Sequence, residues 1–384
     1  MNTAHRLIVF TAALLASASL AVADDQSAPA WKEAESQTLR NHVQLTFSDR
    51  FAKAGESYFS PDNNRIVFQG VETPADGEAA SEFYAMYVAD VVRDRNGRIT
   101  GIENIICISP EGSANTCGWF HPTDPDVVLF ASTVGPPTES SPPGYQRGSG
   151  RYRWMFPPEM DIVKVRLSNA DRSAESLTHL VSNNEAYIAE CSYSPDGRHL
   201  LYCSLESNEG DLFTKDLKTG TTTRIVSARG YDGGPFFSPD GRRICYRSDR
   251  QGNNRLQLFI GELAFNDEGT IVGLQREFQI TDNEHVNWAP FWHPNGRHLV
   301  YATSEISHRS YEVFMIDADP GHRGTVKYGT NKRRITFSEG FDGLPVFDST
   351  GKTMMWTSQR SECGTSQLWV ADFLVPTALP SMPR

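Results

Sequence analysis

An aromatic-rich phrase ending in a tight turn recurs six times along the 384 residues, and such a chain is best accommodated as a ring of small sheets. The phrases are Tyr58-Phe59-Ser60-Pro61-Asp62, Trp119-Phe120-His121-Pro122, Tyr193-Ser194-Pro195-Asp196-Gly197-Arg198, Phe237-Ser238-Pro239-Asp240-Gly241-Arg242, Trp292-His293-Pro294-Asn295-Gly296-Arg297 and Phe347-Asp348-Ser349-Thr350-Gly351-Lys352. From proline to proline, with Ser349 in the last place, the intervals are 61, 73, 44, 55 and 55 residues, the length of four-stranded blades with insertions. The sequence predicts an all-β, six-bladed β-propeller of four-stranded antiparallel blades.

Each turn is set locally. Proline presets the leading corner and glycine takes the left-handed position of a hairpin bulge. Asp62, Asp196 and Asp240 resemble a catalytic set when gathered together, yet turn chemistry accounts for them. Second strands follow as short apolar runs such as Ile66-Val67-Phe68 and Leu200-Leu201-Tyr202, and third strands alternate, as in Ile162-Val163-Lys164-Val165. A closing phrase ends two blades, Phe278-Gln279-Ile280-Thr281 and Arg334-Ile335-Thr336-Phe337, and returns as Val43-Gln44-Leu45-Thr46-Phe47 before the first full repeat. The last repeat stops at Asp372, so the N-terminal segment is expected to complete blade six and cover its edge.

Ahead of the ring, His5 and Arg6 precede an apolar stretch from Leu7 to Leu20, and Ala21-Val22-Ala23 offers small residues at a cleavage position. Residues 1–23 read as a secretory signal, 24–39 as a linker, 40–373 as the propeller and 374–384 as a tail. With no second apolar segment of spanning length, the expectation is a soluble periplasmic or extracellular monomer. A formal net charge of −11 disfavours nucleic acid and anionic lipid as partners. Six cysteines, Cys107, Cys117, Cys191, Cys203, Cys245 and Cys363, leave the disulfide pattern open. Cys191 and Cys203 flank one turn and should lie near each other on paired strands, as a disulfide or as small buried hydrophobes; Cys107 and Cys117 form a second candidate pair. There is no CxxC spacing, so neither a zinc nor a thioredoxin-like site is indicated.

The signal segment, the aromatic-Ser-Pro-Asp-Gly-Arg-aliphatic phrases and the Leu-Thr-Phe closures together resemble the β-propeller of the TolB family, WD40-like-repeat proteins of the periplasmic Tol-Pal envelope system. The resemblance covers residues 40–373. It implies the propeller fold and a role in binding a protein or envelope component. The family carries an α/β domain ahead of its propeller, where this chain has residues 24–39, so transduction through that domain is not carried over. The same repeat also serves propellers of oligopeptidases and oligogalacturonate lyases.

Strand order places the Ser-Pro-Asp-Gly turns on one face and the first-strand entries and second-to-third loops on the other. Seven residues before the turn proline or its equivalent stand Asn115, Asp232, Asn287 and Asp342, and five before it stand Glu56 and Glu190. These are expected to converge at the channel mouth as a collar of oxygens for Ca2+ or another divalent cation, sugar hydroxyls or a basic peptide. Asx turns at strand starts are the alternative account. The loop face also carries an insertion in which Arg151, Arg153, Trp154 and Phe156 either meet a partner or staple the loop to blade two. His285 and His308 fall on the same face, as solvent-facing residues or as part of a metal site with Asp232 or Asp342. No nucleophile elbow, phosphate loop, His-Glu-x-x-His or calcium-loop pattern occurs. The functional expectation is a binding scaffold without a cofactor, the alternatives being a carbohydrate-active lyase or hydrolase and a cation or small-ligand sensor.

Overall fold

The computed structural model describes residues 29–138, 157–183, 186–318 and 329–374. A short helix, α1 (Ala30–Glu35), leads into β1 (Leu39–Gln44). Blade one comprises β2 (Phe51–Phe59), β3 (Arg65–Glu72), β4 (Ala85–Arg93) and β5 (Ile99–Cys107). Blade two comprises β6 (Asn115–Phe120), β7 (Val127–Ser132), β8 (Asp161–Arg166) and β9 (Leu177–Val181). Blade three has β10 (Ile188–Tyr193), β11 (His199–Ser204), β12 (Asp211–Asp216) and β13 (Thr222–Val226). Blade four has β14 (Asp232–Phe237), β15 (Arg243–Ser248), β16 (Gln257–Phe265) and β17 (Ile271–Gln279). Blade five follows with β18 (Asn287–Trp292), β19 (His298–Ser307), β20 (Ser310–Asp317) and β21 (Arg333–Arg334), and blade six with β22 (Asp342–Phe347), β23 (Thr353–Ser358) and β24 (Gln367–Phe373).

Five sheets keep chain order, while the sixth runs β1-β24-β23-β22. The N-terminal strand therefore closes the ring: Val43 lies opposite Val370, and the Leu45 N–H donates to the Leu368 carbonyl at 2.8 Å. The recurring threonine of the closing phrase has a defined task. Thr46, Thr281 and Thr336 each accept a hydrogen bond through Oγ1 from the N–H of Leu368, Leu258 and Val313, at 2.9, 2.9 and 2.8 Å. Turn serines do similar local work, with Ser194 and Ser238 donating to Asp196 and Asp240 at 2.5 Å while each acid takes a backbone N–H two residues on.

The core lies between blades. Cross-strand rings stack in register where second and third strands meet, as Phe68 with Tyr87 (5.4 Å), Tyr202 with Phe213 (5.6 Å) and Tyr246 with Phe259 (5.6 Å). All six cysteines are free. Cys191 and Cys203 are on paired strands, but Cys203 lies opposite Ala189, and Cys191 sits in a bulge. They pack into different clusters, Cys191 with Tyr193 and Leu129 and Cys203 with Tyr231 and Leu212, and no disulfide joins them.

Candidate functional site in the central channel

Every innermost strand shifts register five residues before its turn proline or equivalent, β2 also at its start, and at each of these six shared shifts one residue adopts a left-handed backbone. These residues are Glu56 (φ 38°), Cys117 (57°), Glu190 (55°), Gly234 (57°), Ala289 (51°) and Leu344 (53°). All stand five before the turn proline or its equivalent, one per blade. Such bulges re-aim side chains, and here Glu56 and Glu190 face the lumen.

Two residues further on stand Tyr58, Trp119, Ser192, Phe236, Phe291 and Val346, each opposite the middle residue of its second strand. Four of their rings meet across the axis: Tyr58 lies 4.9 Å from Trp119 and 5.6 Å from Phe236, and Phe236 lies 5.2 Å from Phe291. This aromatic layer divides the channel. On the turn face it floors a cavity of about 300 Å³ rimmed by Pro61, Pro122, Pro195, Pro239, Pro294 and Ser349.

Behind the layer lies a charged cluster. Arg247 of β15 pairs with Glu190, whose carboxylate also accepts from the Tyr231 hydroxyl and the Gly234 N–H, both at 2.7 Å. The two side chains are 8% and 11% exposed, so this pair is almost wholly desolvated. Burial works against the Arg247 charge, but the Glu190 carboxylate outweighs it and holds the guanidinium above its ordinary value. Gly234 makes the arrangement possible, since a Cβ there would fall on that guanidinium. Glu56 accepts from Tyr58 at 3.2 Å and Thr116 at 3.1 Å, and burial pushes its carboxyl above the usual range. Tyr84, near enough to feel Glu56, is pushed up to about 12, chiefly by burial.

The loop face presents half-buried aromatic rings at the entries of blades five and six. Trp288 lies 6.0 Å from Phe341 and 6.4 Å from Tyr311, and Tyr311 lies 6.0 Å from Phe341. Across the mouth, Lys53 Nζ sits 4.5 Å from the centre of the Tyr84 ring.

Residues 171–270 match the TolB β-propeller domain model, within a ring of six four-stranded blades. Over that stretch the chain is similar to the TolB β-propeller. An uncharacterised protein of Agrobacterium fabrum is 31% identical over 111 residues, 29% of this chain and 34% of that protein. The Tol-Pal system protein TolB of Francisella tularensis subsp. holarctica is 34% identical over 77 residues, 20% of this chain and 18% of TolB. The matched stretches thus span about a third and about a fifth of these relatives. Among solved structures, a TolB candidate of Agrobacterium tumefaciens aligns at TM-score 0.49 and 17% identity over 84% of this chain and 91% of its own. An oligogalacturonate lyase of Vibrio parahaemolyticus aligns at 0.46 and 12% over 86% and 92%. Likenesses this distant do not bear on the choice of function.

Within the TolB-like propeller, the proposed collar residues divide into two groups. Glu56 and Glu190 share the lumen. Asn115, Asp232, Asn287 and Asp342 are buried at strand starts, where they bond to neighbouring chain. Asn115 donates to the Tyr84 carbonyl at 3.0 Å, Asn287 to the Leu256 carbonyl at 3.3 Å, and Asp342 accepts from Trp356 Nε1 at 3.0 Å. Asp232 accepts from the Ala228 N–H at 3.1 Å, and burial pushes its carboxyl up to about 6. His285 is half-buried and His308 exposed, with the His308 ring 6.4 Å from Tyr311. Among the described residues no group of three His, Cys, Asp or Glu is placed to hold a metal. Arg151, Arg153, Trp154 and Phe156 lie outside the described residues, as do residues 1–23. Arg247 is the channel residue that motif reading missed; its only sequence signal is the Gly233-Gly234 pair in a strand where the other blades carry a side chain at the second position.

Proposed function

We propose that this TolB-like propeller is exported and acts as a non-enzymatic scaffold, binding a protein or another envelope component through its loop face. The observation that carries the reading is the Trp288, Tyr311 and Phe341 cluster, three aromatic rings left half-exposed beside an acid-lined channel. Large amphipathic rings grouped around a concave centre are the usual anchors of a protein interface. Similarity to a Tol-Pal system protein supports an envelope setting, and no helix among the described residues is long and apolar enough to cross a membrane.

A photo-crosslinker placed at Tyr311, and separately at exposed Asn295 on the turn face, tests the assignment in native envelopes. One protein should couple from position 311 and not from 295, and should then bind the purified propeller directly. Equal coupling from both positions, or none from 311, overturns the loop-face reading. Amino-terminal sequencing of the native protein should begin at Asp24 if the leader is removed.

A further inference from the structure

Behind the aromatic layer the channel holds an acid that has no counter-charge among the described residues. Every partner of Glu56 among the described residues is neutral: the hydroxyls of Tyr58 and Thr116, and the thiol of Cys117. Glu190 close by is paired with Arg247. Burial destabilises ionised Glu56, and the charge of Glu190 adds to that effect.

An independent observation concerns Ser192. It occupies the register position whose counterparts in blades one, two, four and five place their rings across the axis, opposite Leu201 as Trp119 is opposite Leu129. Ser192 is 1% exposed and its hydroxyl has no hydrogen-bond partner among the described residues. An unsatisfied buried hydroxyl costs about 1–3 kcal/mol, a cost that an arriving N–H donor removes.

We infer that the channel binds a guanidinium or ammonium group, held by Glu56 and the Ser192 hydroxyl over the faces of Tyr58 and Trp119. A bound cation offsets both the burial of ionised Glu56 and its repulsion by Glu190. Sugar hydroxyls would leave that charge unbalanced. A divalent ion is usually held by several carboxylate or carbonyl oxygens, and among the described residues no group of three His, Cys, Asp or Glu is placed to hold one. Ring faces attract an organic cation directly. The formal charge of −11 raises the local concentration of cations around the mouth.

The cation is either a lysine or arginine side chain of a protein or a free polyamine; in the first case the inference rests on the scaffold reading and names its anchor. Calorimetry on the purified protein with acetyl-Gly-Arg-Gly-amide, its citrulline counterpart and spermidine separates these. Binding of the arginine peptide or of spermidine, with the citrulline peptide at least about tenfold weaker, supports the inference and identifies the source. Glu56→Gln should weaken the cation about tenfold or more, and Ser192→Ala by a smaller factor. The inference fails if neither cation binds, if citrulline binds equally well, or if Glu56→Gln binds as the parent does. The citrulline comparison uses the unaltered protein, so it decides even if the variant does not fold. Should cation binding fail while coupling from Tyr311 persists, the scaffold reading stands without this anchor.

Discussion

Arg360→Leu should open the seam of the ring. Its guanidinium is wholly buried between two carboxylates, Glu35 of α1 at 3.0 Å and Asp342 of β22 at 2.9 Å, both at most 1% exposed. Trp31, Trp356 and Trp369 surround it, with ring centres 4.3, 4.9 and 5.7 Å away. One side chain thus ties the N-terminal segment to blade six. Leucine would leave two desolvated acids facing each other without a cation, and removing one partner of a buried ion pair costs about 3–5 kcal/mol. The sign of the pH dependence is also set. In the parent, burial pushes the Glu35 carboxyl up, but His42, Arg360 and the Phe337 N–H outweigh it and hold it below its ordinary value. Its contribution is therefore present above the ordinary carboxylate range and is lost as pH falls through the lowered folded value. In the variant the Arg360 charge is gone, both carboxyls move upward, and acid relieves the penalty by protonating them. Urea unfolding followed by tryptophan fluorescence should show the larger deficit at about pH 8 and a smaller one at about pH 5. Adding Glu35→Gln and Asp342→Asn to the variant should recover much of the loss. A deficit under about 1 kcal/mol at the higher pH, or one of equal size at both, would refute the clasp.

Three further outcomes follow from named contacts. Gly234→Ala places a methyl on the Arg247 guanidinium and forces a left-handed alanine, so thermal unfolding should report a loss of about 1–3 kcal/mol; an unchanged midpoint would mean that Arg247 does not need the space. Deleting residues 40–48 leaves β24 as an open edge, and light scattering should find aggregates, whereas a monodisperse product would show that the edge is harmless. Burial, reinforced by the Asp342 charge, pushes Glu312 up to about 8 despite Arg334, so the folded state binds the extra proton and stability should fall as pH rises from the ordinary carboxylate range to about 8. Glu312→Gln should flatten that decline in urea midpoints, and an identical slope would assign it to other groups.

The ring was readable because its punctuation is local. A Pro-Asp-Gly turn needs only its own residues to form, as the Ser238 to Asp240 hydrogen bond at 2.5 Å shows, and the apolar run after it has nowhere to go but into a strand. Closure was readable because Leu45-Thr46 repeats the chemistry of Ile280-Thr281, a threonine hydroxyl accepting a third-strand N–H. The Arg360 clasp was not readable. Its partners lie 325 and 18 residues away in sequence, and nothing in the residues around Arg360 distinguishes it from a surface arginine.

The channel shows where counting along a strand stops working. In a regular strand, residues three, five and seven before the turn proline share one face, which is why acids at the last two positions read as one collar. The left-handed residue at the fifth position breaks that alternation in every blade. Glu56 and Tyr58 therefore meet in the lumen, while Asp342, two residues before Leu344, turns away to a blade junction and bonds Trp356 and Arg360. Arg247 reaches the channel from a second strand only because Gly234 has no side chain, a compensation between two strands that a linear pattern does not encode. A chemical environment in this fold is thus set by which blades carry a side chain at the bulge and which do not. Among the described residues Glu56 has only neutral partners, while Arg247 is drawn to Glu190 of the preceding blade by the vacancy at Gly234 in its own blade.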